Sequence, residues 1–303
     1  RQEKTKENPQ NCPEAILWVP FYDNRKRNVT ILRKKALLFF SRTAYTWQKE
    51  QGKAVQGRAW RKKNEEKSML YIKNLTKTYG EKKAVDDLSL HIAPGEIYGF
   101  IGHNGAGKTT TLKSVTGILQ FDSGEITIGG RSIRQDPIGC KAQMAYIPDN
   151  PDLYEFMTGI KYLNFIADIF GVPEEKRQER IRKYADLFEM TENLAQPIAS
   201  YSHGMKQKLA IISAWIHEPK LIIMDEPFVG LDPKAAHILK QMMREICDEG
   251  GAIFFSTHVL EVAEKLCDKV AIIRNGQLIQ SGTMQEVKGD DSLEEVFLEL
   301  EGE

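Results

Sequence analysis

Residues 102–109 read Gly-His-Asn-Gly-Ala-Gly-Lys-Thr, a glycine-rich stretch that ends in Lys-Thr. The glycines permit positive backbone angles and leave main-chain N–H groups open to a polyphosphate. Lys108 supplies a cation for the terminal phosphates, and the hydroxyl of Thr109 suits Mg²⁺. The pattern predicts a phosphate-binding loop in preference to an ordinary glycine-rich turn. We expect its nucleotide contacts to come from Gly102, His103, Asn104, Gly105, Ala106, Gly107, Lys108, Thr109 and Thr110.

The segments on either side of this loop support the same interpretation. The apolar run at residues 97–101 predicts a buried strand, and residues 110–119 predict a helix. A helix N-terminus carries partial positive charge, and this one would point at the bound phosphates. Strand, loop and helix therefore occur in the order that phosphate binding requires.

A second motif, Leu-Ile-Ile-Met-Asp-Glu, occupies residues 221–226. Its four consecutive apolar residues predict a central parallel strand that is covered on both faces. We expect Asp225 to hold Mg²⁺ and Glu226 to orient or deprotonate an attacking water molecule. Adjacent acids at a strand end are often ordinary solvated residues, but ligands of such sheets bind at the carboxyl ends of the strands.

Residues 201–205, Tyr-Ser-His-Gly-Met, lie shortly before the Asp-Glu strand. In this position they resemble the signature sequence of ATP-binding cassette (ABC) transporters, usually written LSGGQ. The resemblance covers roughly residues 69–303. It implies an α/β fold, namely a P-loop NTPase-type cassette with a mainly parallel core sheet, an antiparallel β subdomain and an inserted helical subdomain at about residues 150–200.

The signature also predicts a second anion-binding helix N-terminus. Ser202 is a favourable N-cap for a helix through residues 206–216, and taken alone it is only a cap. In the family, the signature of one subunit closes over the ATP that is held by the other. The resemblance therefore implies that Ser202 and Gly204 contact the nucleotide of a neighbouring chain.

Three further residues match the family pattern. Tyr79 stands where the family has an aromatic residue that stacks on adenine, although in isolation it is more typical of a half-buried strand. Asp232 resembles the acid of the D-loop, and Asp before Pro233 also predicts an N-cap with proline at the first helical position. His258 follows the strand predicted at residues 252–255 and corresponds to the family's switch histidine, which contacts the γ-phosphate. We therefore expect Asp225, Glu226 and His258 to be the catalytic residues.

The sequence departs from the family pattern at two places. The family usually has Gln after the strand predicted at residues 144–147, where its side chain reaches Mg²⁺ and reports to the membrane partner. Here Pro148 precedes Asp149, whose carboxylate can ligate Mg²⁺ at least as well, so the change bears on coupling rather than on binding. The expected metal ligands are thus Thr109, Asp149 and Asp225. In the signature, His203 replaces the first glycine.

Residues 158–170 and 174–190 predict two amphipathic helices. The first is expected to bury one apolar face made of Tyr162, Leu163, Phe165, Ile166 and Ile169. Residues 153–157 form a candidate groove for a helix of the membrane partner, or else part of the subdomain's own core. Near the end of the chain, strands at residues 269–274 and 277–280 flank the turn Asn275-Gly276, and Ser292 begins a capping box that opens a helix through Leu300.

The first 68 residues differ in charge from the rest of the chain. They hold 17 Lys and Arg against 7 Asp and Glu, whereas residues 69–303 hold 25 against 35. Residues 31–40 could form a basic amphipathic helix at a membrane surface, and the Arg and Trp residues could contact nucleic acid. The alternatives are a poorly ordered basic extension or a non-native segment with translation starting at Met69.

The four cysteines lack metal-type spacing and fit a reducing cytoplasm, and no apolar run is long enough to span a bilayer. We expect an ATP-binding and hydrolysing subunit that uses Mg²⁺, powers a membrane ABC transporter and works as a nucleotide-sandwich homo- or heterodimer. Its expected partners are a second ABC ATPase subunit and transmembrane permease subunits, through which it lies on the cytoplasmic face of the membrane. The alternative is a soluble ABC ATPase that acts on nucleic acid or the ribosome. Such relatives usually carry two cassettes in one chain or a long coiled coil that splits the cassette. This sequence shows one cassette and no sustained heptads, so no nucleic acid is expected.

Overall fold

A computed structural model describes residues 68–302 of the chain. The predictions for the basic extension and for a start at Met69 depend on residues outside this range. Within residues 68–302 there are ten strands, namely β1 (Leu70–Tyr79), β2 (Lys82–Ile92), β3 (Ile97–Ile101), β4 (Ser123–Ile128), β5 (Arg131–Ser132), β6 (Met144–Ile147), β7 (Leu221–Asp225), β8 (Ala252–Thr257), β9 (Lys269–Arg274) and β10 (Gln277–Thr283).

Nine α-helices lie between and after these strands in the described part of the chain. They are α1 (Lys108–Val115), α2 (Pro137–Lys141), α3 (Gly159–Phe170), α4 (Glu174–Leu187), α5 (His203–Trp215), α6 (Pro233–Asp248), α7 (Leu260–Leu266), α8 (Met284–Lys288) and α9 (Leu293–Gly302). Two short 3₁₀ helices, Thr191–Asn193 and Ile198–Ser200, connect α4 to α5.

The central sheet has six strands in the order β10-β9-β3-β8-β7-β6. Strands β9, β3, β8, β7 and β6 pair in parallel, and β10 joins the edge antiparallel. Successive side chains of a strand point to opposite faces, so each strand feeds two cores. In β7, Leu221 and Ile223 enter one core, whereas Ile222 and Met224 enter the other. The prediction of a strand covered on both faces is confirmed.

One face of this sheet is covered by a second, antiparallel sheet and by α1. The second sheet has the order β2-β1-β4-β5, and its residues Leu70, Ile72 and Leu75 share a core with Leu112 of α1 and Phe254 of β8. The opposite face packs against α5 and α6. Together with the helices of residues 150–200, this arrangement confirms the predicted α/β cassette with a mainly parallel core sheet.

Several predicted helix boundaries are shifted, and each shift has a local cause. The helix expected at residues 110–119 is α1, which starts at Lys108 because Gly107 adopts a left-handed conformation and serves as its N-cap. Helix α4 ends at Leu187 rather than at residue 190, and Glu189 just beyond it has a φ of 55°. A left-handed residue cannot continue a right-handed helix.

The apolar face predicted for α3 is only partly correct. Tyr162 and Leu163 are buried, but Ile169 is 36% exposed. The buried stripe of α3 instead continues through Gly159 and Ala167. The predicted face omits the small residues Gly159 and Ala167, which are buried because they allow the helix to pack closely on its neighbours.

The C-terminal predictions are confirmed. Asn275 and Gly276 both have positive φ, as a two-residue hairpin turn between β9 and β10 requires. Ser292 and Glu295 form the reciprocal hydrogen bonds of a capping box, and α9 follows. None of the helices within residues 68–302 is long and apolar enough to span a membrane.

Candidate active site

The glycine loop joins the carboxyl end of β3 to the N-terminus of α1. Gly102 lies against β9, where an added Cβ would approach the carbonyl oxygen of Ile273 to 2.5 Å. Gly105 has a φ of 83° and faces open space, and Gly107 has a φ of 111°. Gly102 is thus required by packing and Gly105 by backbone conformation, whereas Gly107 is required by both, because its Cβ would also lie 2.4 Å from the carbonyl oxygen of Ala84. The first turn of α1 contains no acidic side chain, which leaves its positive end available to an anion.

Lys108 is turned into this loop and is only 6% exposed. Its Nζ donates hydrogen bonds to the carbonyl oxygens of Gly102 at 2.6 Å and His103 at 3.3 Å. The same ammonium lies 3.5 Å from Oε1 of Glu226. The structure thus brings the predicted phosphate-binding cation next to the predicted catalytic carboxylate.

Asp225 ends β7 with a carboxylate that is almost fully buried. Its Oδ2 accepts a hydrogen bond of 2.6 Å from the hydroxyl of Thr109, and its Oδ1 accepts one from Ser256. Burial raises the pKa of Asp225, and the nearby charges of Asp149 and Glu226 act in the same direction. The hydroxyl contacts of Ser256 and Thr109 oppose this increase by stabilising the ionised form.

Glu226, the residue after Asp225, contacts His258. Nδ1 of His258 lies 2.9 Å from Oε1 of Glu226, and the His258 main-chain N–H donates to Oε2 at 3.4 Å. The side chain of Glu226 is 15% exposed, whereas that of His258 is 50% exposed. A cavity of about 260 Å³ adjoins both residues and is also lined by Phe228, Val229, Thr257 and Val259. The carboxylate therefore lies at the edge of a space that can admit a water molecule.

The oxygen groups at this position fit Mg²⁺. Residues 68–302 contain no group of three or more His, Cys, Asp or Glu side chains arranged to hold a metal ion. Mg²⁺ commonly takes only one or two carboxylates from the protein and completes its shell with phosphate oxygens and water. The adjacent hydroxyl of Thr109 and carboxylate of Asp225 are oxygen groups that would fit the protein part of such a shell. Asp149 follows β6, and its charge acts on Asp225.

The signature residues belong to a second cluster, at the N-termini of α5 and α6. Ser202 caps α5 by accepting a hydrogen bond of 3.3 Å from the main-chain N–H of Met205. Asp232 caps α6 through the N–H of Ala235 at 2.8 Å, and its other oxygen pairs with Lys208 of α5 at 2.7 Å. Both predicted caps are confirmed.

Close packing also joins the two loops of this cluster. A Cβ on Gly204 would lie 2.8 Å from the carbonyl oxygen of Gly230, and a Cβ on Gly230 would collide with the ring of His203. The histidine that replaces the first signature glycine is accommodated because residue 230 is also a glycine. Tyr79 lies at the end of β1 and is 49% exposed, and the ammonium of Lys77 lies over its ring, 5.2 Å from the centroid.

Sequence reasoning missed two contacts at the site. Ser256 contacts Asp225 directly, and the signal that could have found it is a hydroxyl two residues before His258, at the carboxyl end of a neighbouring strand. His103 packs against Phe297 of α9 with ring centroids 5.1 Å apart, and no local pattern reveals a contact across so much of the chain.

Comparison with known proteins gives consistent matches. A family model described as ABC transporter matches residues 85–229. The chain is 37% identical over 238 residues to the ABC-type transporter ATP-binding protein EcsA of Bacillus subtilis (strain 168), an alignment that covers 77% of this chain and 96% of that protein.

Two solved structures show the same fold. A structure described as the ATP binding subunit of an ABC transporter is 36% identical and superposes with a TM-score of 0.75, covering 77% of this chain and 100% of the other. The structure of cbiO1 from Clostridium perfringens, described as part of the ABC transporter complex cbiONQ, is 26% identical with a TM-score of 0.64. It covers 74% of this chain and 92% of that one.

Proposed function

Because this chain belongs to the ABC transporter family of ATP-binding proteins, we propose that it is the ATP-hydrolysing subunit that powers a membrane transporter. The observation that carries the proposal is the contact of Glu226 with both Lys108 and His258 beside the glycine loop. Residues 69–303 form the ABC ATPase domain, with the helical subdomain at about residues 150–200.

The contacts support distinct roles for the residues of the loop and the strand ends. Lys108 leaves the loop carbonyls for the β- and γ-phosphates of ATP, which removes a cation from Glu226. The freed carboxylate then accepts a proton from the attacking water, and His258 orients the γ-phosphate. Thr109, Asp225 and Asp149 would hold Mg²⁺, and the ion would supply positive charge that stabilises the negative charge developing on the phosphates.

The second cluster supports a dimeric mechanism. The N-terminus of helix α5 is capped by the exposed Ser202. This helix end is suited to bind an anion, and in the dimer it contacts the ATP that is held by another copy or by a related subunit. Two nucleotides are then enclosed between two chains, with Asp232 close to the same interface. ATP binding closes the dimer because it stabilises the closed state over the open one.

Residues 153–157 are the proposed docking groove for a permease. Phe156 is 76% exposed and its ring lies 5.5 Å from that of Tyr154, so an apolar surface is available to a partner helix. Glu155 pairs with Lys206 of α5, which links this groove to the signature helix. The solved structure of cbiO1 is described as part of an ABC transporter complex, which supports assembly of this chain with other subunits. Through a permease, this subunit lies on the cytoplasmic face of the membrane.

Replacement of the proposed base tests the function. Glu226→Gln should lower ATP turnover by roughly 10²–10⁴-fold while leaving ATP binding intact, because the amide cannot accept the proton. Glu192→Gln, an exposed acid in the 3₁₀ helix after α4, is the matched control and should hydrolyse ATP normally. Turnover of Glu226→Gln at the wild-type rate would remove Glu226 from this role.

A further inference from the structure

Ser256 is a buried polar residue of β8, one of the central strands of the six-stranded sheet. It lies at the carboxyl end of β8, is fully buried and pairs in parallel register with Asp225 of β7. A buried hydroxyl costs free energy unless it is hydrogen-bonded. The contacts that satisfy this hydroxyl both belong to the active site.

The first contact fixes the orientation of Asp225. The Ser256 hydroxyl donates to Oδ1, while Oδ2 accepts from Thr109 at 2.6 Å. With one carboxylate oxygen held from inside the sheet, the other is directed to the hydroxyl at the start of α1. This is the side on which Mg²⁺ and the phosphates are expected.

The second contact fixes the main chain of Glu226. Its N–H donates to the Ser256 hydroxyl at 3.1 Å and to the Ser256 carbonyl oxygen at 3.2 Å. Glu226 has a φ of 47°, a left-handed conformation that costs a non-glycine residue about 1 kcal/mol or more. These hydrogen bonds stabilise that conformation, in which the side chain turns back to contact Lys108 and His258.

The Ser256 hydroxyl therefore donates a hydrogen bond to the carboxylate of Asp225 and accepts one from the main-chain N–H of Glu226. A serine hydroxyl has one proton to donate and two lone pairs, so it can serve both partners at once. We propose that Ser256 is a positioning residue that sets the orientation of Asp225 towards the metal site and of Glu226 towards the attacking water. This inference rests on the proposed ATP hydrolysis for its kinetic part only.

Two substitutions of Ser256 and one control separate positioning from general packing. Ser256→Ala removes the hydroxyl, and Ser256→Thr retains it on a residue type that strands favour. Ser213→Ala is the matched control, because Ser213 is a buried serine of α5 whose hydroxyl donates to the carbonyl oxygen of Ala210 at 2.8 Å. All variants are made in the full chain, and their thermal midpoints are recorded.

The first readout is the Mg²⁺ concentration that gives half-maximal binding of a non-hydrolysable ATP analogue. Ser256→Ala should raise it by roughly 10-fold or more, as expected when a partner of a metal ligand is lost. The second readout is turnover at saturating Mg–ATP, where kcat should fall roughly 10- to 100-fold through misplacement of Glu226. Analogue binding without Mg²⁺ should stay within twofold, and Ser256→Thr should recover most of both losses.

A purely structural hydroxyl would give a different result. Ser256→Ala would then match Ser213→Ala in Mg²⁺ requirement and in kcat, with only a lower thermal midpoint, and this outcome overturns the inference. If the wild-type chain binds Mg–ATP without hydrolysing it, the proposed function fails, but the Mg²⁺ titration still decides the role of Ser256. A wild-type chain without any nucleotide binding would overturn both.

Discussion

The ring of His103 in the glycine loop packs edge-on against the ring of Phe297 in the last helix, with the centroids 5.1 Å apart. Helix α9 is itself held at both ends. The main-chain N–H of Leu293 donates to Glu264 of α7 at 3.2 Å, and Arg274 donates to the carbonyl oxygen of Leu300. The C-terminal helix therefore buttresses the loop from the side.

Removal of this buttress should be measurable. Phe297 is 6% exposed, so Phe297→Ala should lower the free energy of unfolding by about 3–5 kcal/mol. It should also weaken Mg–ATP binding, because the loop loses the contact at His103. The neighbouring Leu298 is 61% exposed, and Leu298→Ala should change stability by no more than about 0.5 kcal/mol. Denaturant titration of both variants, with and without Mg–ATP, measures the two effects. Equal changes in stability and in Mg–ATP binding for the two variants would show that Phe297 does not support the loop.

Lys108→Ala should abolish ATP binding itself rather than only slow turnover. At a nucleotide concentration 100 times Kd, the wild type gains about 2.7 kcal/mol of stability, and the variant should lose this increment. Lys113→Ala, on the same helix, should retain it. The measurement is the shift in thermal midpoint on addition of Mg–ATP. An unchanged shift in Lys108→Ala would place the phosphates elsewhere.

The partly buried imidazole of His217 predicts acid sensitivity. Its ring stacks on Phe170 at 3.6 Å and Nε2 lies 3.2 Å from the carbonyl oxygen of Met144. Burial lowers the pKa of His217 from 6.5 to about 4, and the charge of Arg180 acts in the same direction, whereas the contact with Met144 opposes it. Below pH 6.5 the unfolded chain binds a proton that the folded protein excludes, so stability falls as the pH is lowered towards 4.

The expected loss from this group is about 3 kcal/mol over that range. His217→Gln removes the group that takes up this proton. The free energy of unfolding of the variant should therefore depend less steeply on pH between about 7 and about 5 than that of the wild type. All other titratable groups are the same in the two proteins, so the difference between their pH profiles isolates the contribution of His217. Parallel pH profiles for the two proteins would show that His217 does not carry the effect.

Gly204→Ala should prevent ATP-driven association while leaving ATP binding to a single chain intact. An added Cβ would lie 2.8 Å from the carbonyl oxygen of Gly230 and would push the start of α5 away from that loop. The effect is best measured by sedimentation of Glu226→Gln with Mg–ATP, with and without the second substitution. A dimer of undiminished affinity would argue against a shared nucleotide site.

Much of this architecture can be predicted from the sequence because its determinants are local. The apolar run before Asp225 predicts β7, and Ser202 and Asp232 predict the starts of α5 and α6. In each case a few consecutive residues contain the hydrophobic pattern or the capping group.

The contacts that complete the site cannot be predicted in the same way. Ser256 meets Asp225 only because two strands, 31 residues apart in sequence, become neighbours in the sheet. The left-handed conformation of Glu226 follows from that pairing, since nothing in its residue type favours it. The contact of His103 with Phe297 depends on the final placement of α9. Such features arise from tertiary packing.

The pairing of Lys108 with Glu226 has a consequence for the protein at rest. The Lys108 ammonium lies 3.5 Å from the Glu226 carboxylate, and the carbonyl oxygens of Gly102 and His103 hold that ammonium in place. In the proposed mechanism, the triphosphate of ATP draws the lysine away from Glu226, so the nucleotide that is to be hydrolysed also releases the carboxylate that activates the water.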